Sequence, residues 1–243
     1  SSVYGLERSL AGHSPYSFGV FVPTQGVYGR HNREYAPREV SRLAAAAGFA
    51  ETGNADLQRQ LLEAADGMPL MGPNCYGFVN TFDKVALWPD EHGMQRHERG
   101  AAIVSQSGNV AVNLTFQQRG LRLGSMITVG NQASLGTEDT IAALLDDPRI
   151  TCIGLFLEAV RDAQQFASVA LRAARQGVPI VALQTGRSAA GALIASSHTG
   201  SMAGRAAAYD AIFIHLNFIR ATECDEFIFY NNSKTREFVS GSI

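Results

Sequence analysis

From residue 100 onward, short apolar runs alternate with longer segments in which apolar residues recur every three or four positions. The short runs predict buried strands at residues 101–104, 125–129, 151–157 and 179–184. The longer segments predict helices at residues 109–119, 137–145, 162–175 and 203–216, with Thr137 as the N-cap of the second helix. Because the strands are apolar along their whole length, the pattern indicates a parallel sheet covered by helices on both faces.

This alternation of strands and helices predicts an α/β fold with a doubly wound parallel sheet, and we expect a flavodoxin-like domain over residues 98–230. The first 95 residues have a weaker pattern. Residues 57–65 predict a helix, and residues 67–70 predict a strand that runs into a turn-rich loop at residues 72–77. Residues 231–243 are polar and predict an irregular tail.

Composition and charge narrow the class of protein. Of 243 residues, 46% are hydrophobic and 17% are charged, which excludes a disordered chain and a coiled coil. The net charge of −2, with no basic tract, argues against a nucleic-acid or membrane partner. The three cysteines form neither a disulfide framework nor a metal-binding pair, which is typical of a reducing compartment. Since no apolar stretch is long enough to cross a bilayer, we expect a soluble, cytoplasmic protein.

Candidate chemistry lies where the predicted strands end, because open parallel sheets bind ligands beyond the carboxyl ends of their strands. One of these ends carries Ser-Gln-Ser-Gly-Asn at 105–109, where a helix is predicted to begin. The first backbone N–H groups of a helix point outward beside the positive end of its dipole and can bind an anion. Ser107, Gly108 and Asn109 therefore predict a phosphate-binding turn. A plain N-cap by Ser107 explains the same residues equally well.

Two further residues are candidates for covalent chemistry. His198 lies among small hydroxyl residues and glycines, without the apolar neighbours of a core histidine. Glu158 ends an apolar strand, where a carboxylate is either paired or functional. It could accept a hydrogen bond from the imidazole Nδ1–H and leave Nε2 as a nucleophile. A structural role for His198 fits the sequence equally well. No second histidine or cysteine has metal-ligand spacing with His198, so we expect no metal site.

Six motifs occur in order along the chain. They are Gly-Pro-Asn-Cys-Tyr-Gly at 72–77, Ser-Gln-Ser-Gly at 105–108, Val-Gly-Asn at 129–131, Glu158 after a strand, Gly-Arg-Ser at 186–188 and Ser-His-Thr-Gly-Ser at 197–201. In this order and spacing, residues 46–227 resemble the NDP-forming acyl-CoA synthetases, which are relatives of the succinyl-CoA synthetase α subunit. Leu-Trp-Pro-Asp at 87–90 resembles a bacterial subgroup that includes enzymes acting on aromatic acids.

The resemblance implies a role for each matching residue. His198 corresponds to the histidine that carries a phosphoryl group, and Glu158 corresponds to the glutamate that orients this histidine. The phosphate-binding helix start would consist of Ser107, Gly108 and Asn109, and the residues near the acyl group or the CoA thiol would be Asn74, Cys75 and Asn131.

Two parts of the family pattern are missing. The family binds CoA through a glycine-rich loop of a Rossmann-type domain, yet residues 1–43 contain no such loop. We therefore expect residues 1–95 to form an atypical or incomplete Rossmann-like CoA-binding domain. The ATP-grasp part that binds the nucleotide is also absent from the chain. The resemblance implies an ATP-grasp β-type subunit or fused domain as the partner, which would bind ATP or another NTP with Mg²⁺, and an oligomeric enzyme.

The resemblance implies an acid–thiol ligase that joins a small carboxylic acid to CoA through an acyl phosphate and phospho-His198. Two alternatives from other classes stay open. A non-catalytic CoA- or acyl-CoA-sensing module would have the same fold, although the chain retains both His198 and Glu158. A flavodoxin-type electron carrier would need more hydroxyl residues around its flavin phosphate than residues 105–109 contain.

Overall fold

A seven-stranded sheet organises the part of the chain that the computed structural model describes, which comprises residues 21–23, 53, 55–184, 213 and 218–240. Its strands are β3 (Phe78–Asn80), β4 (Val85–Leu87), β5 (Gly100–Ser105), β6 (Leu123–Thr128), β7 (Ile150–Leu157), β8 (Ile180–Gln184) and β9 (Ile219–Ala221). They lie in the order β4-β3-β6-β5-β7-β8-β9. A separate parallel pair joins β1 (Phe21–Pro23) to β2 (Met71–Cys75).

Strands β5 to β9 run parallel in the spatial order β6-β5-β7-β8-β9. This is the order of flavodoxin-like doubly wound sheets, so the predicted α/β fold is confirmed. The sheet is nevertheless mixed, because β3 pairs antiparallel with both β4 and β6. The sequence pattern does not reveal this edge hairpin, since strands of three residues are too short to show a period.

Helices cover both faces of the sheet. On one face, α3 (Thr137–Leu144) and α4 (Ala163–Arg175) share a core with Ala102 and Val104 of β5. On the other face, α2 (Gly108–Thr115) and α5 (Cys224–Ser240) share a core with Ala101 and Ile103. Successive residues of β5 thus enter two different cores, which explains why residues 101–104 are all apolar. Helix α1 (Ala55–Ala65) packs in a third, smaller cluster with Leu70.

Three predicted element boundaries need correction. The helix predicted at 109–119 ends at Thr115, where the Phe116 N–H turns back to the Asn113 carbonyl at 3.2 Å. Thr137 is the first residue of α3 and not its N-cap, because Gly136 occupies the cap and donates its N–H to the Asp139 carboxylate at 2.8 Å. The strand predicted at 67–70 lies instead at 71–75, so part of the predicted loop forms β2.

The prediction of an irregular carboxyl-terminal tail is wrong, because residues 231–240 belong to the 17-residue helix α5. Phe227, Asn231 and Thr235 are spaced four residues apart and are all fully buried. The Phe227 ring approaches β7 so closely that a Cβ at Gly154 would lie 2.8 Å from it. Because two of these three buried positions are polar, the buried face of the helix does not show in the hydrophobic pattern. Most of the helix predicted at 203–216 lies outside the described residues.

Candidate active site

The carboxyl ends of β5, β6 and β7 lie side by side and form what we call the carboxyl edge of the sheet. From this edge β5 leads into α2 on one face, whereas β7 leads into α4 on the other face. Open α/β sheets bind their ligands at such a topological switch point. The turn of Ser107 follows β5 and Glu158 follows β7, so the fold brings these two candidates to opposite sides of the switch point.

The turn after β5 has the geometry of a helix start. Ser107 is the N-cap of α2, and its Oγ accepts a hydrogen bond from the Val110 N–H at 3.4 Å. The Ser105 hydroxyl accepts from the Ser107 N–H at 3.1 Å and donates to the Ser107 carbonyl at 2.7 Å. The N-cap role of Ser107 is therefore confirmed. Because the first N–H groups of a helix have no acceptor within the helix, Gly108 and Asn109 can also offer donors to an anion beside the dipole's positive end.

The aromatic ring of Tyr76 lies against this turn and leaves no room for a side chain at Gly108. A Cβ at Gly108 would lie 2.8 Å from Cδ2 of Tyr76. The Tyr76 ring packs edge-on against Trp88 with 5.1 Å between ring centroids, and its hydroxyl donates to the Asp90 carboxylate. This hydrogen bond raises the pKa of Tyr76. The backbone N–H of Tyr76 donates to Thr128 Oγ1 at 2.7 Å. Tyr76 is thus a neutral, fixed wall beside the predicted phosphate site.

Glu158 is joined to the same turn by Gln106. The Gln106 Oε1 accepts hydrogen bonds from the backbone N–H groups of Glu158 at 2.8 Å and Ala159 at 2.9 Å. Its Nε2 donates to the Ala159 carbonyl at 2.6 Å and to Thr137 Oγ1 at 3.2 Å. Gln106 is buried and so is Thr137. One side chain therefore sets the position of the Glu158 backbone relative to the predicted phosphate-binding turn.

A second buried side chain holds the far end of the loop that carries Glu158. Glu138, on α3, is fully buried, and its Oε1 accepts from the N–H groups of Arg161 and Asp162, each at 3.0 Å. Its Oε2 packs against the backbone of Gly136, where a Cβ would lie 2.5 Å from this oxygen. Since buried carboxylate contacts of this kind fix the backbone, the loop after β7 is held at both of its ends.

Two residues that the resemblance places near the acyl group or CoA are in direct contact. The Asn74 Nδ2 donates to the Asn131 Oδ1 at 3.3 Å, and the Asn131 Nδ2 donates to the Gln58 Oε1 at 3.1 Å. The Asn131 N–H also donates to the Pro73 carbonyl at 2.9 Å. The neighbouring Gly130 has φ +52°, and a Cβ there would lie 2.2 Å from the same carbonyl oxygen. Only glycine permits this close approach of the two loops.

Cys75, the third residue of that set, is buried next to them. Its Sγ donates to the Met71 carbonyl at 3.5 Å. Burial raises the pKa of the Cys75 thiol to about 12. The thiol therefore stays protonated at neutral pH, and a covalent role as a nucleophile is not supported.

His198 lies outside the described residues, so its position relative to Glu158 and the turn remains a prediction. Within the described part of the chain, no group of histidine, cysteine, aspartate and glutamate side chains could hold a metal ion. In the same part, no helix combines the length and the apolarity that a bilayer span requires.

The sequence alone does not assign roles to several residues that shape the site. Gln106 and Tyr76 lie inside two of the six motifs, each next to a candidate site residue in the sequence. This position in a motif could have identified them as site residues. Thr128 and Glu138 carry no such signal. Their contacts join segments of the chain that are more than 20 residues apart, which no local pattern records.

The chain is similar to a group of CoA ligases. Residues 98–232 match the family model described as succinyl-CoA ligase like flavodoxin domain. A trans-feruloyl-CoA synthase from an unknown prokaryotic organism is 38% identical over 167 residues, which cover 65% of this chain and 24% of the relative. Subunit alpha of the ADP-forming acetate–CoA ligase II of Pyrococcus furiosus is 30% identical over 203 residues, covering 81% of this chain and 43% of that subunit.

A solved structure has a similar fold. The dinucleotide-forming acetyl-coenzyme A synthetase 1 of Candidatus Korarchaeum cryptofilum, in complex with phosphate and ADP, superposes with a TM-score of 0.71 at 28% identity. The match covers 78% of this chain and 42% of that one. The chain thus spans less than half of the length of these relatives.

Proposed function

The chain belongs to the succinyl-CoA ligase family of flavodoxin-like domains, and from this membership we propose that it is the α-type, phosphohistidine-bearing part of an NDP-forming acyl-CoA synthetase. The overall reaction is acid + CoA + NTP ⇌ acyl-CoA + NDP + phosphate. The observation that carries the proposal is the pairing of the α2 helix start with Glu158 across the switch point of the sheet. A helix N-terminus stabilises phosphate charge, and a carboxylate can orient an imidazole.

The proposed reaction proceeds in three transfers. The His198 Nε2 attacks the γ-phosphorus of the NTP, and NDP leaves as the P–N bond forms. A carboxylate oxygen of the acid then attacks this phosphorus, which gives an acyl phosphate and frees the histidine. Finally, the CoA thiolate attacks the acyl carbonyl carbon and phosphate leaves. Glu158 accepts the Nδ1–H of His198. At the helix start formed by Ser107, Gly108 and Asn109, Ser107 caps the helix, and the N–H groups of Gly108 and Asn109 stabilise the charge on the transferred group.

The contact between Asn74 and Asn131 supports a thioester-forming site next to the phosphate turn. In the proposed mechanism, these two amides lie close to the acyl group and the CoA thiol. Because Cys75 is held protonated, the acyl group passes directly from phosphate to CoA and not through this cysteine. Residues 1–95 act as the atypical CoA-binding domain. The protein works in the cytoplasm, where CoA is available and cysteines stay reduced.

The nucleotide step belongs to a partner in this proposal. An ATP-grasp β-type subunit or fused domain binds the NTP with Mg²⁺. Either His198 travels between the two active centres, or the nucleotide site of the partner reaches it. The printed name of the Pyrococcus furiosus relative supports this division, since that relative is the alpha subunit of a ligase. The two named relatives differ in their acid, acetate in one and ferulate in the other, and the acid for this chain is left open.

Mass spectrometry of the full protein with its ATP-grasp partner tests the proposal. The protein is incubated with CoA, Mg²⁺ and ATP or GTP, and with acetate or ferulate in parallel. We expect a chain heavier by one phosphoryl group whenever NTP and partner are both present, and an acyl-CoA product with the correct acid. CoA binding with no phosphorylated chain under any condition would favour the sensing module. A yellow protein with bound flavin would favour the electron carrier.

A further inference from the structure

Gln106 is the side chain that connects the two halves of the proposed phosphoryl-transfer site. Its backbone N–H donates to the Phe156 carbonyl at 3.1 Å, while its side chain binds both the N–H of Glu158 and the N–H and carbonyl of Ala159. It begins in the turn after β5 and ends on the loop after β7, so it crosses the switch point itself.

The surroundings of Gln106 allow it little freedom. Only 8% of the residue is exposed, and both ends of its amide are hydrogen-bonded. Thr137 accepts from its Nε2 and in turn donates to the Gln132 Oε1 at 2.9 Å. Gln132 follows Asn131 in the loop after β6. The three loops of the carboxyl edge are therefore linked through one buried network, with Gln106 at its centre.

We propose that Gln106 is a positioning residue that fixes Glu158 at the distance from the α2 helix start that phosphoryl transfer to histidine requires. The inference rests on the proposed function, because it gives Gln106 a role only through Glu158. A displacement of about 1 Å at a reacting group can lower a rate about 100-fold. We therefore expect loss of the Gln106 amide to lower the rate of the transfer step.

The test is a double-mutant cycle on the full protein with its ATP-grasp partner and γ-³²P-ATP, followed as the initial rate of chain labelling. Gln106→Met keeps the volume of the side chain and removes its hydrogen bonds, and we expect the labelling rate to fall about 10- to 100-fold. Glu158→Gln alone lowers it about 100- to 1,000-fold, since charge-assisted hydrogen bonds are about twice as strong as neutral ones. Adding Gln106→Met to Glu158→Gln should lower the labelling rate by no more than about a further threefold, because the effect of Gln106 acts through Glu158.

Two controls separate positioning from general loss of stability. Asn231→Ala removes a buried amide that bonds to the Phe227 carbonyl at 2.8 Å, on α5 and away from the carboxyl edge. It destabilises the fold, yet below its melting temperature the labelling rate should stay within about twofold of the wild type. Gln106→Asn keeps the amide on a side chain that is one methylene group shorter, and we expect a smaller loss of labelling rate than for Gln106→Met. It also replaces Gln106→Met if that variant does not fold.

Hydrogen exchange of the backbone amides gives a readout that does not depend on activity. In Gln106→Met, the amides of Glu158 and Ala159 should exchange faster while those of α5 are unchanged. Additive losses in the cycle, or unchanged exchange at Glu158 and Ala159, would overturn the positioning role. A wild-type protein that takes up no label would instead overturn the proposed function, and the exchange experiment would still decide whether Gln106 holds the Glu158 loop.

Discussion

The two edges of the same sheet are held by different kinds of interaction. At the carboxyl edge, the loops after β5, β6 and β7 are joined by buried side chains, with Gln106 8% exposed and Thr137 and Glu138 fully buried. At the opposite edge, where these strands begin, Arg149 forms ion pairs with Asp83 and Asp147, each at 2.8 Å. The Arg149 and Asp83 side chains are 36% and 34% exposed.

The two kinds of interaction differ in how accurately they hold the backbone and in how much their loss destabilises the fold. Ion pairs that are about one-third exposed are screened by water and salt, so they tolerate small movements of the backbone at little cost. Buried amides and hydroxyls have no water to replace a lost partner, and each one therefore holds its loop in a single place. In the proposed function, the edge that needs accurate geometry for phosphoryl transfer is the one held by the buried network. The hydrogen bonds with Asp83 and Asp147 raise the pKa of Arg149, so this guanidinium keeps its charge at any physiological pH.

The largest effect is expected where two loops of the carboxyl edge touch. Gly130→Ala would place a Cβ 2.2 Å from the Pro73 carbonyl oxygen, and the contact is between backbones that cannot rotate away. We expect the free energy of unfolding, measured by urea denaturation, to fall by about 3–5 kcal/mol. Gly177→Ala is the matched control, because Gly177 has φ +69° but no atom within 4 Å of the added Cβ. Its cost is about 1 kcal/mol. Equal losses in the two variants would show that the loop contact is unimportant.

A smaller effect is expected from the carboxylate that holds the Glu158 loop. Glu138→Ala leaves the N–H groups of Arg161 and Asp162 without the acceptor that the Glu138 Oε1 provides at 3.0 Å. The free energy of unfolding should fall by about 2 kcal/mol, the usual cost of buried polar groups that lose their partner. Glu138→Gln retains this acceptor and should cost less than half as much by the same urea titration. A glutamine variant as unstable as the alanine variant would contradict this account of the loop.

The smallest effect is expected at the opposite edge. Arg149→Met keeps an unbranched side chain beside Phe82. It removes both ion pairs and the cation–π contact, in which the guanidinium lies 5.0 Å from the ring centroid. We expect a loss of about 0.5–1 kcal/mol at low salt and almost none in 1 M NaCl, where the Debye length is about 3 Å. A loss of more than about 2 kcal/mol in the free energy of unfolding that persists in high salt would contradict this comparison. It would mean that polar contacts stabilise both edges of the sheet equally.

The sequence pattern was sufficient for those parts of the fold that rest on local periodicity. The predicted strand at 151–157 is β7, since eight consecutive buried residues leave the near-continuous apolar run that is typical of a strand covered on both faces. Asp162 was predicted as the first helical residue and proves to be the N-cap of α4, with its carboxylate accepting from Gln164 and Gln165. Such one-residue differences do not affect the architecture.

The pattern failed where burial is polar or pairing is distant. Helix α5 was missed because Asn231 and Thr235 are buried polar residues, and the antiparallel hairpin of β3 and β4 was missed because its strands are short. For the site, the motifs identify Ser107, Asn74 and Glu158. They do not show that Gln106 accepts hydrogen bonds from the loop of Glu158, about 50 residues away. Contacts between distant segments depend on the folded topology, and a single sequence does not record them.

The most direct test of the whole account is to locate the phosphoryl group on the chain. The full protein is labelled with γ-³²P-ATP and its ATP-grasp partner, quenched in alkali to preserve phosphohistidine, digested and mapped by mass spectrometry. The account predicts that all label lies on the peptide that contains His198, and that His198→Asn takes up none while keeping the wild-type melting temperature. Label on another residue, or undiminished labelling of His198→Asn, would contradict it.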